Sequence, residues 1–164
     1  MNRDSNAYTF LFAAVMVLVV ASSLAFTATA LKDKQNENVR KEKMQNILST
    51  IGIQTDRDQA EELYNQYIIQ ELALVADGSN DENVQAFKVE LAIETKKPLE
   101  QQRFPLYVAE VEAKKFYIVP LRGAGLWDAI WGYVALEDDM NTIKGAVFDH
   151  KGETAGLGAE ITQG

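Results

Sequence analysis

Two glycine-bearing stretches hold the residues best suited to chemistry. The first is Pro120-Leu121-Arg122-Gly123-Ala124-Gly125-Leu126-Trp127-Asp128. The second is Asp149-His150-Lys151-Gly152-Glu153-Thr154-Ala155-Gly156-Leu157-Gly158. Each follows a segment that reads as a strand. Glycines let a backbone approach a ligand closely. A loop that opens into a helix presents free N–H groups to an anion. Trp127, beside the first stretch, could stack on a planar ring. Most glycine-rich loops are plain turns, so composition alone leaves both readings open. Neither stretch has the G-x-x-x-x-G-K-[ST] spacing of a P-loop or the G-x-G-x-x-G of a dinucleotide fold.

Other constellations are excluded by count. The chain has 164 residues, with 16 Lys and Arg against 24 Asp and Glu, a net charge of −8, no Cys and one His. Without cysteine there is no disulfide scaffold, iron–sulfur cluster, Cys nucleophile or thiolate zinc site. His150 lies near Glu153, but no G-x-S-x-G elbow exists and Ser79 is the last serine. Asp138 and Asp139 are adjacent in a turn, where solvation and turn geometry account for them better than a metal. No catalytic residue and no metal ligand is assigned. An acidic chain without a basic face excludes nucleic acid as a partner.

The elements that must position the two loops begin with a membrane helix. Between Ser5 and Leu31 no residue is charged, and residues 10–31 are almost wholly apolar. A span needs about 20 such residues. Ala28-Thr29-Ala30 has the look of a signal-peptide cleavage site, but the run exceeds the 7–15 residues of an h-region. The expectation is an uncleaved anchor. Helical spacing of Val39, Lys43, Met44, Ile47, Leu48 and Ile51 carries the helix on to about Thr50, where Gly52 stops it. Counting Lys and Arg near the helix ends, the positive-inside rule places the following domain in the cytoplasm. Residues 32–57 hold six basic and four acidic residues, whereas 58–164 hold nine and 19.

Asp56 reads as an N-cap. Ala60, Leu63, Tyr64, Tyr67, Ile68, Leu72 and Val75 form one helical stripe. Asp77-Gly78-Ser79-Asn80-Asp81 is a turn cluster. Strands are expected where Phe87, Val89, Leu91 and Ile93 alternate with polar neighbours, at 106–111, at 115–121, and as a hairpin of 131–136 with 142–148. The fold class is α+β: an N-terminal transmembrane helix, then one domain with a largely antiparallel sheet. The expected division is 1–31 for tail and membrane helix, 32–54 for a juxtamembrane helix, and 55–164 for the α+β domain.

These features together resemble the C-type subunit of the Na+-translocating NADH:quinone reductase. The resemblance rests on Ser5-Asn6-Ala7-Tyr8-Thr9-Phe10 before one membrane helix, and on the stretch ending in Ile51-Gly52-Ile53. It rests further on Gly125-Leu126-Trp127 with Trp131-Gly132-Tyr133 and Ala135-Leu136-Glu137. Glu153-Thr154-Ala155-Gly156-Leu157-Gly158 is similar to the family's E-T-P-G-L-G loop, with Ala155 where proline is usual. That last loop is shared with the G-type subunit of Rnf electron-transport complexes, the alternative assignment. A flavin-free, membrane-anchored structural protein is the alternative from another class.

The resemblance implies a domain of the FMN-binding type carrying FMN, joined to a threonine of an S-G-A-T-x-[ST] motif. It implies a relay of electrons from NADH towards quinone, coupled to Na+ export, with NADH and quinone chemistry on other subunits. This chain would then be part of an enzyme without a complete active site of its own. The implied partners are those subunits and the membrane. The implied place is the bacterial inner membrane, single-pass, with the domain periplasmic, against the charge count. Glu153, Thr154, Gly156, Leu157 and Gly158 are the implied FMN contacts, with Gly125, Leu126 and Trp127 behind them. The attachment motif is absent, and Thr162 has the wrong surroundings, so the resemblance implies a chain truncated at its C-terminus.

Overall fold

The computed structural model describes residues 6–162. The tail at 1–5, with Arg3 and Asp4, lies outside the described residues, as do Gln163 and Gly164. The chain divides after Arg40 into two compact units.

Helix α1 spans Asn6–Thr50. It is long and apolar enough to cross a membrane by length and composition. Phe10, Phe12, Val17, Leu18, Leu24 and Phe26 are all exposed, as lipid-facing side chains would be in the absence of lipid. Ser23, Thr27 and Thr29 donate their hydroxyls to the carbonyls of Val19, Ser23 and Ala25. Back-bonding of this kind keeps polar atoms satisfied in hydrocarbon.

In the second unit the end of α1 becomes core. The Ile53 N–H reaches the Leu48 carbonyl at 3.1 Å, and the Gly52 N–H reaches that of Ser49 at 3.0 Å. This is a Schellman stop, and it needs the left-handed φ of +86° that Gly52 adopts. Met44, Ile47, Leu48 and Ile51 are buried in one cluster with Tyr64, Tyr107, Ala109, Phe116, Ile118 and Ala135. Burying each large apolar side chain here contributes about 1.5–3 kcal/mol.

Asp56, expected as the N-cap, instead closes the turn before helix α2, Ala60–Tyr67, its Oδ1 accepting the N–H groups of Asp58 and Gln59, and Gln59 is the N-cap residue. Five strands follow: β1 Ile68–Leu74, β2 Phe104–Val111, β3 Lys114–Ala124, β4 Ala129–Leu136 and β5 Ile143–His150. They form one sheet in sequence order, every neighbouring pair antiparallel. Tyr107 opposes Ile118, and Ile118 opposes Ala135, so one face of the sheet meets α1 and α2. The β2–β3 turn is made by Glu112 and Ala113, both at positive φ. The turn of the β4–β5 hairpin is closed by Asp139, whose Oδ1 takes the N–H groups of Asn141 and Thr142. Asp139 therefore has a structural task, as the sequence suggested.

Two expectations are corrected. The helical stripe ends at Tyr67, and Ile68 and Leu72 belong to β1. The residues 70–74 have helix-forming composition, but pairing of Leu72 with Leu106 and Ala73 with Pro105 overrides it. The alternating segment from Phe87 to Ile93 is not a strand. It forms a 3-10 turn, Ala86–Lys88, and a short helix α3, Leu91–Glu94. Here Ala86 and Val89 pack on Ala73, and Phe87 stands edge-on to Tyr64 at 5.6 Å. Side-chain anchors fix the segment that follows: Glu94 takes Lys97 at 2.7 Å and the Arg103 N–H at 2.9 Å, and Arg103 pairs with Asp81 at 2.8 Å.

Candidate functional site

The β3–β4 connection is residues 125–128, and the loop after β5 is residues 151–158. The sheet brings them together because β4 and β5 are neighbours whose ends, Ile130 and His150, are paired. The ladder extends one step further, with the Lys151 N–H donating to the Ala129 carbonyl at 3.1 Å.

The first loop is a tight tip. Its Gly125 N–H donates to the Asp128 carbonyl at 2.7 Å. Asp128 Oδ1 accepts the Ala129 N–H at 2.7 Å, and its other oxygen faces Lys151 at 3.4 Å. The Ala129 N–H, with Lys151 and Arg122, holds the Asp128 carboxyl below its ordinary range.

The second loop closes on itself. The Leu157 and Ala159 N–H groups both donate to the Thr154 carbonyl, at 3.1 and 3.2 Å. Gly156 has a φ of +77° and donates its N–H to Glu160 Oε1 at 3.0 Å. The loop runs into a 3-10 helix, Gly158–Thr162, which packs on β5. His150 Nδ1 accepts the Glu153 N–H at 3.2 Å.

Glu153 joins the two loops. Its Oε1 accepts the N–H groups of Trp127 at 3.2 Å and Asp128 at 3.4 Å. Its Oε2 is buried without a hydrogen-bond partner. A methyl group on Gly158 would strike Glu153 Oε2, and one on Gly125 would strike Oε1. The sequence suggested that glycines here make room for a cofactor. At Gly125 and Gly158 the space is already taken by this carboxylate.

The large apolar side chains of both loops point to solvent. Leu126 and Trp127 are each 70% exposed and Leu157 is 66% exposed. The Thr154 side chain is exposed as well. Trp131, which shares the G-L-W segment, has a different setting. It lies within β4 opposite Arg122, whose guanidinium sits 6.0 Å from its ring. Among the described residues no cluster of His, Asp and Glu could hold a metal ion.

Sequence reasoning missed a second group of polar residues, beside the end of α1. Lys43 donates to the Phe87 carbonyl and sits 4.4 Å from the Phe87 ring. Burial lowers its pKa to about 8, against the pull of Glu71 and Glu90. Tyr64 donates its hydroxyl to Glu71 at 2.8 Å. Burial, and then Glu71, push the Tyr64 phenol far above its ordinary range. The signal available was Lys43 itself, a charged residue on the apolar stripe of α1.

The loops coincide with a known domain. The family model for the FMN-binding domain matches residues 125–163, opening at Gly125 and taking in the 151–158 loop. Over 98% of its length the chain is 29% identical to the C-type subunit of the Na(+)-translocating NADH-quinone reductase of Haemophilus ducreyi, and spans 68% of that protein. It is likewise 29% identical over 98% of its length to the corresponding protein of Vibrio parahaemolyticus, spanning 69% of it. The crystal structure of the same subunit from Parabacteroides distasonis matches with a TM-score of 0.75 and 37% identity, covering 81% of this chain and 64% of that one. Shewanella oneidensis NqrC, at 24% identity and a TM-score of 0.61, supports the fold.

Fold and loops thus define a protein with one helix able to anchor it in a membrane and an α+β domain of the FMN-binding class. Its full-length likeness to these proteins goes further. Along 98% of its length the chain is similar to C-type subunits of the Na(+)-translocating NADH-quinone reductases.

Proposed function

We propose that this chain is a membrane-anchored, FMN-carrying electron-transfer subunit of a Na+-translocating NADH:quinone reductase. In this reading α1 crosses the bacterial inner membrane once, the domain is periplasmic, and the partners are the other subunits of the complex. The observation that carries the proposal is the coincidence of the FMN-binding match, residues 125–163, with the two loops that Glu153 ties together.

The residues present fit one edge of a flavin. Leu126, Trp127 and Leu157 offer exposed apolar and aromatic surface, which monomeric proteins seldom leave uncovered in clusters. The exposed Thr154 hydroxyl would donate a hydrogen bond to the cofactor. Gly156, with its positive φ, shapes the loop that presents Leu157. Gly125 and Gly158 serve the site from behind, through Glu153. When bound, the flavin supplies one-electron transfer; the chain supplies position and electrostatic setting. No side chain here is asked to move a proton. The contacts assigned to these residues are non-covalent, and the threonine phosphoester that the resemblance implies would hold the flavin in addition to them.

The test is flavin fluorescence of the denatured band that contains this sequence, purified from native membranes. A fluorescent band that copurifies with NADH:quinone reductase activity supports the proposal. A colourless band in an active, flavin-loaded complex overturns it and favours a structural role. Topology has its own test, made simple by the lack of cysteine. A single Lys114→Cys variant should react with an impermeant thiol reagent added to spheroplasts; reaction only after lysis overturns the periplasmic placement.

A further inference from the structure

The family likeness implied that Glu153 touches the cofactor. The geometry points its carboxylate the other way. Oε1 faces the Trp127 and Asp128 N–H groups at 3.2 and 3.4 Å, and Oε2 is buried. At Gly158, the nearest atoms to an added methyl are Glu153 Oε2, then Cδ at 3.0 Å and Cβ at 3.1 Å. At Gly125 the nearest is Glu153 Oε1, ahead of the Asp128 carbonyl at 2.7 Å. Two glycines far apart in sequence therefore flank one side chain. A neutral side chain would serve as filler. One whose oxygen is aimed at two backbone N–H groups also accepts hydrogen bonds from them.

We propose that Glu153 is a positioning residue. Its carboxylate lies between Gly125 and Gly158, fixes the 125–128 tip to the 154–158 loop, and so holds Leu126, Trp127 and Leu157 as one flavin-facing surface. This role rests on the FMN reading above. It predicts a specific pattern of substitution. The acceptor atom matters more than the charge, because both donors use Oε1. Length matters as well, because the reach spans two loops. Glu153→Gln keeps length and acceptor. Glu153→Asp keeps charge and loses one methylene. Gly158→Ala adds a methyl whose near neighbours all belong to Glu153, so its harm depends on Glu153 being present.

The experiment is amide hydrogen exchange on the full-length, flavin-loaded protein in detergent, read at Trp127 and Asp128, with Ile118 as the core control. Glu153→Ala and Glu153→Asp should speed exchange at both tip amides on the order of tenfold, the effect of losing one hydrogen bond. Glu153→Gln should restore protection, and Ile118 should not change. Gly158→Ala should deprotect the tip in the native background and add nothing in the Glu153→Ala background. Unchanged tip exchange in Glu153→Ala, or Gly158→Ala acting equally in both backgrounds, overturns the proposal. Visible circular dichroism of the flavin is the second readout. It should change in Glu153→Ala and recover in Glu153→Gln. Faster exchange with an unchanged flavin spectrum would uphold the tie between the loops and overturn the placement of flavin at the tip.

Discussion

The root of the domain, formed around the end of α1, and its loop tip use polar and apolar residues in opposite ways. At the root, where the end of α1 packs on the sheet, polar groups lie half-buried beside aromatic rings. Lys43 sits over Phe87, and Tyr64 reaches Glu71. At the tip, large apolar groups face solvent while a carboxylate is turned inward. At the root the stability comes from the packed apolar cluster, and the polar groups there carry a desolvation cost that hydrogen bonds such as Tyr64 to Glu71 offset in part. The tip arrangement leaves hydrophobic surface unsatisfied, which is costly unless something binds there. The packed cluster lies where the end of α1 meets the sheet, and the surface proposed to hold flavin lies at the loops.

The largest expected effect that bears on this contrast is at the root. Leu48 is fully buried in the cluster that joins α1 to the sheet. Leu48→Ala should cost about 2–5 kcal/mol in urea unfolding of the detergent-solubilised chain. A cost under about 1 kcal/mol would mean that the end of α1 is only a tether, and the contrast would collapse.

Lys43 gives the next effect, through pH. Its pKa falls from 10.5 in the unfolded chain to about 8 in the folded one. Between those values the unfolded chain holds the proton and the folded one does not. Stability should therefore rise as pH increases through that window, and the burial cost is fully present below pH 8. The rise is bounded by roughly 3 kcal/mol and is reduced by solvent screening. Lys43→Met should flatten the slope between pH 8 and 10.5. An unchanged slope would show that Lys43 is solvated.

The two buried tyrosines sharpen the contrast within the root. Tyr64→Phe removes the donor to Glu71 and should cost about 1 kcal/mol. Tyr107 is fully buried and its hydroxyl has no partner. Tyr107→Phe should therefore be neutral or slightly stabilising, since it removes a desolvated polar atom. Paired thermal melts of the two variants are the check, and a reversed order would overturn the assignment of partners.

Legibility in the sequence followed the same division. The anchor, the Gly52 stop and four of the five strands could be read because local periodicity and turn chemistry set them. The strand at 68–74 could not. Its composition favours helix, and only its partner Leu106, more than thirty residues away, decides the matter. The segment from Phe87 to Ile93 has strand alternation, but its fate is set by Lys43, Tyr64 and Ala73, all distant in sequence. The two loops were found from glycines and motif likeness. What those glycines accommodate was invisible, because Glu153 meets Gly125 only after two hairpins have folded. Neither the Lys43 pair with Phe87 nor its lowered pKa could be read from spacing, which showed only that Lys43 shares the apolar stripe.

The smallest effect on stability is expected at the tip, and it is the most informative. Trp127 and Leu157 are each about two-thirds or more exposed, at 70% and 66%. Removing an exposed side chain forfeits little burial, so Trp127→Ala and Leu157→Ser should each shift stability by no more than about 0.5 kcal/mol. A tryptophan acting as core would lose about 3–5 kcal/mol on the same truncation. The flavin readout should run in the reverse order. The same substitutions that leave unfolding unchanged should alter the visible circular dichroism of the bound flavin, while Tyr107→Phe should leave it as it was. If Trp127→Ala proves strongly destabilising, its ring is structural and the tip is an extension of the root. If it changes neither stability nor spectrum, the exposed apolar surface belongs to a contact with another protein of the complex rather than to the cofactor.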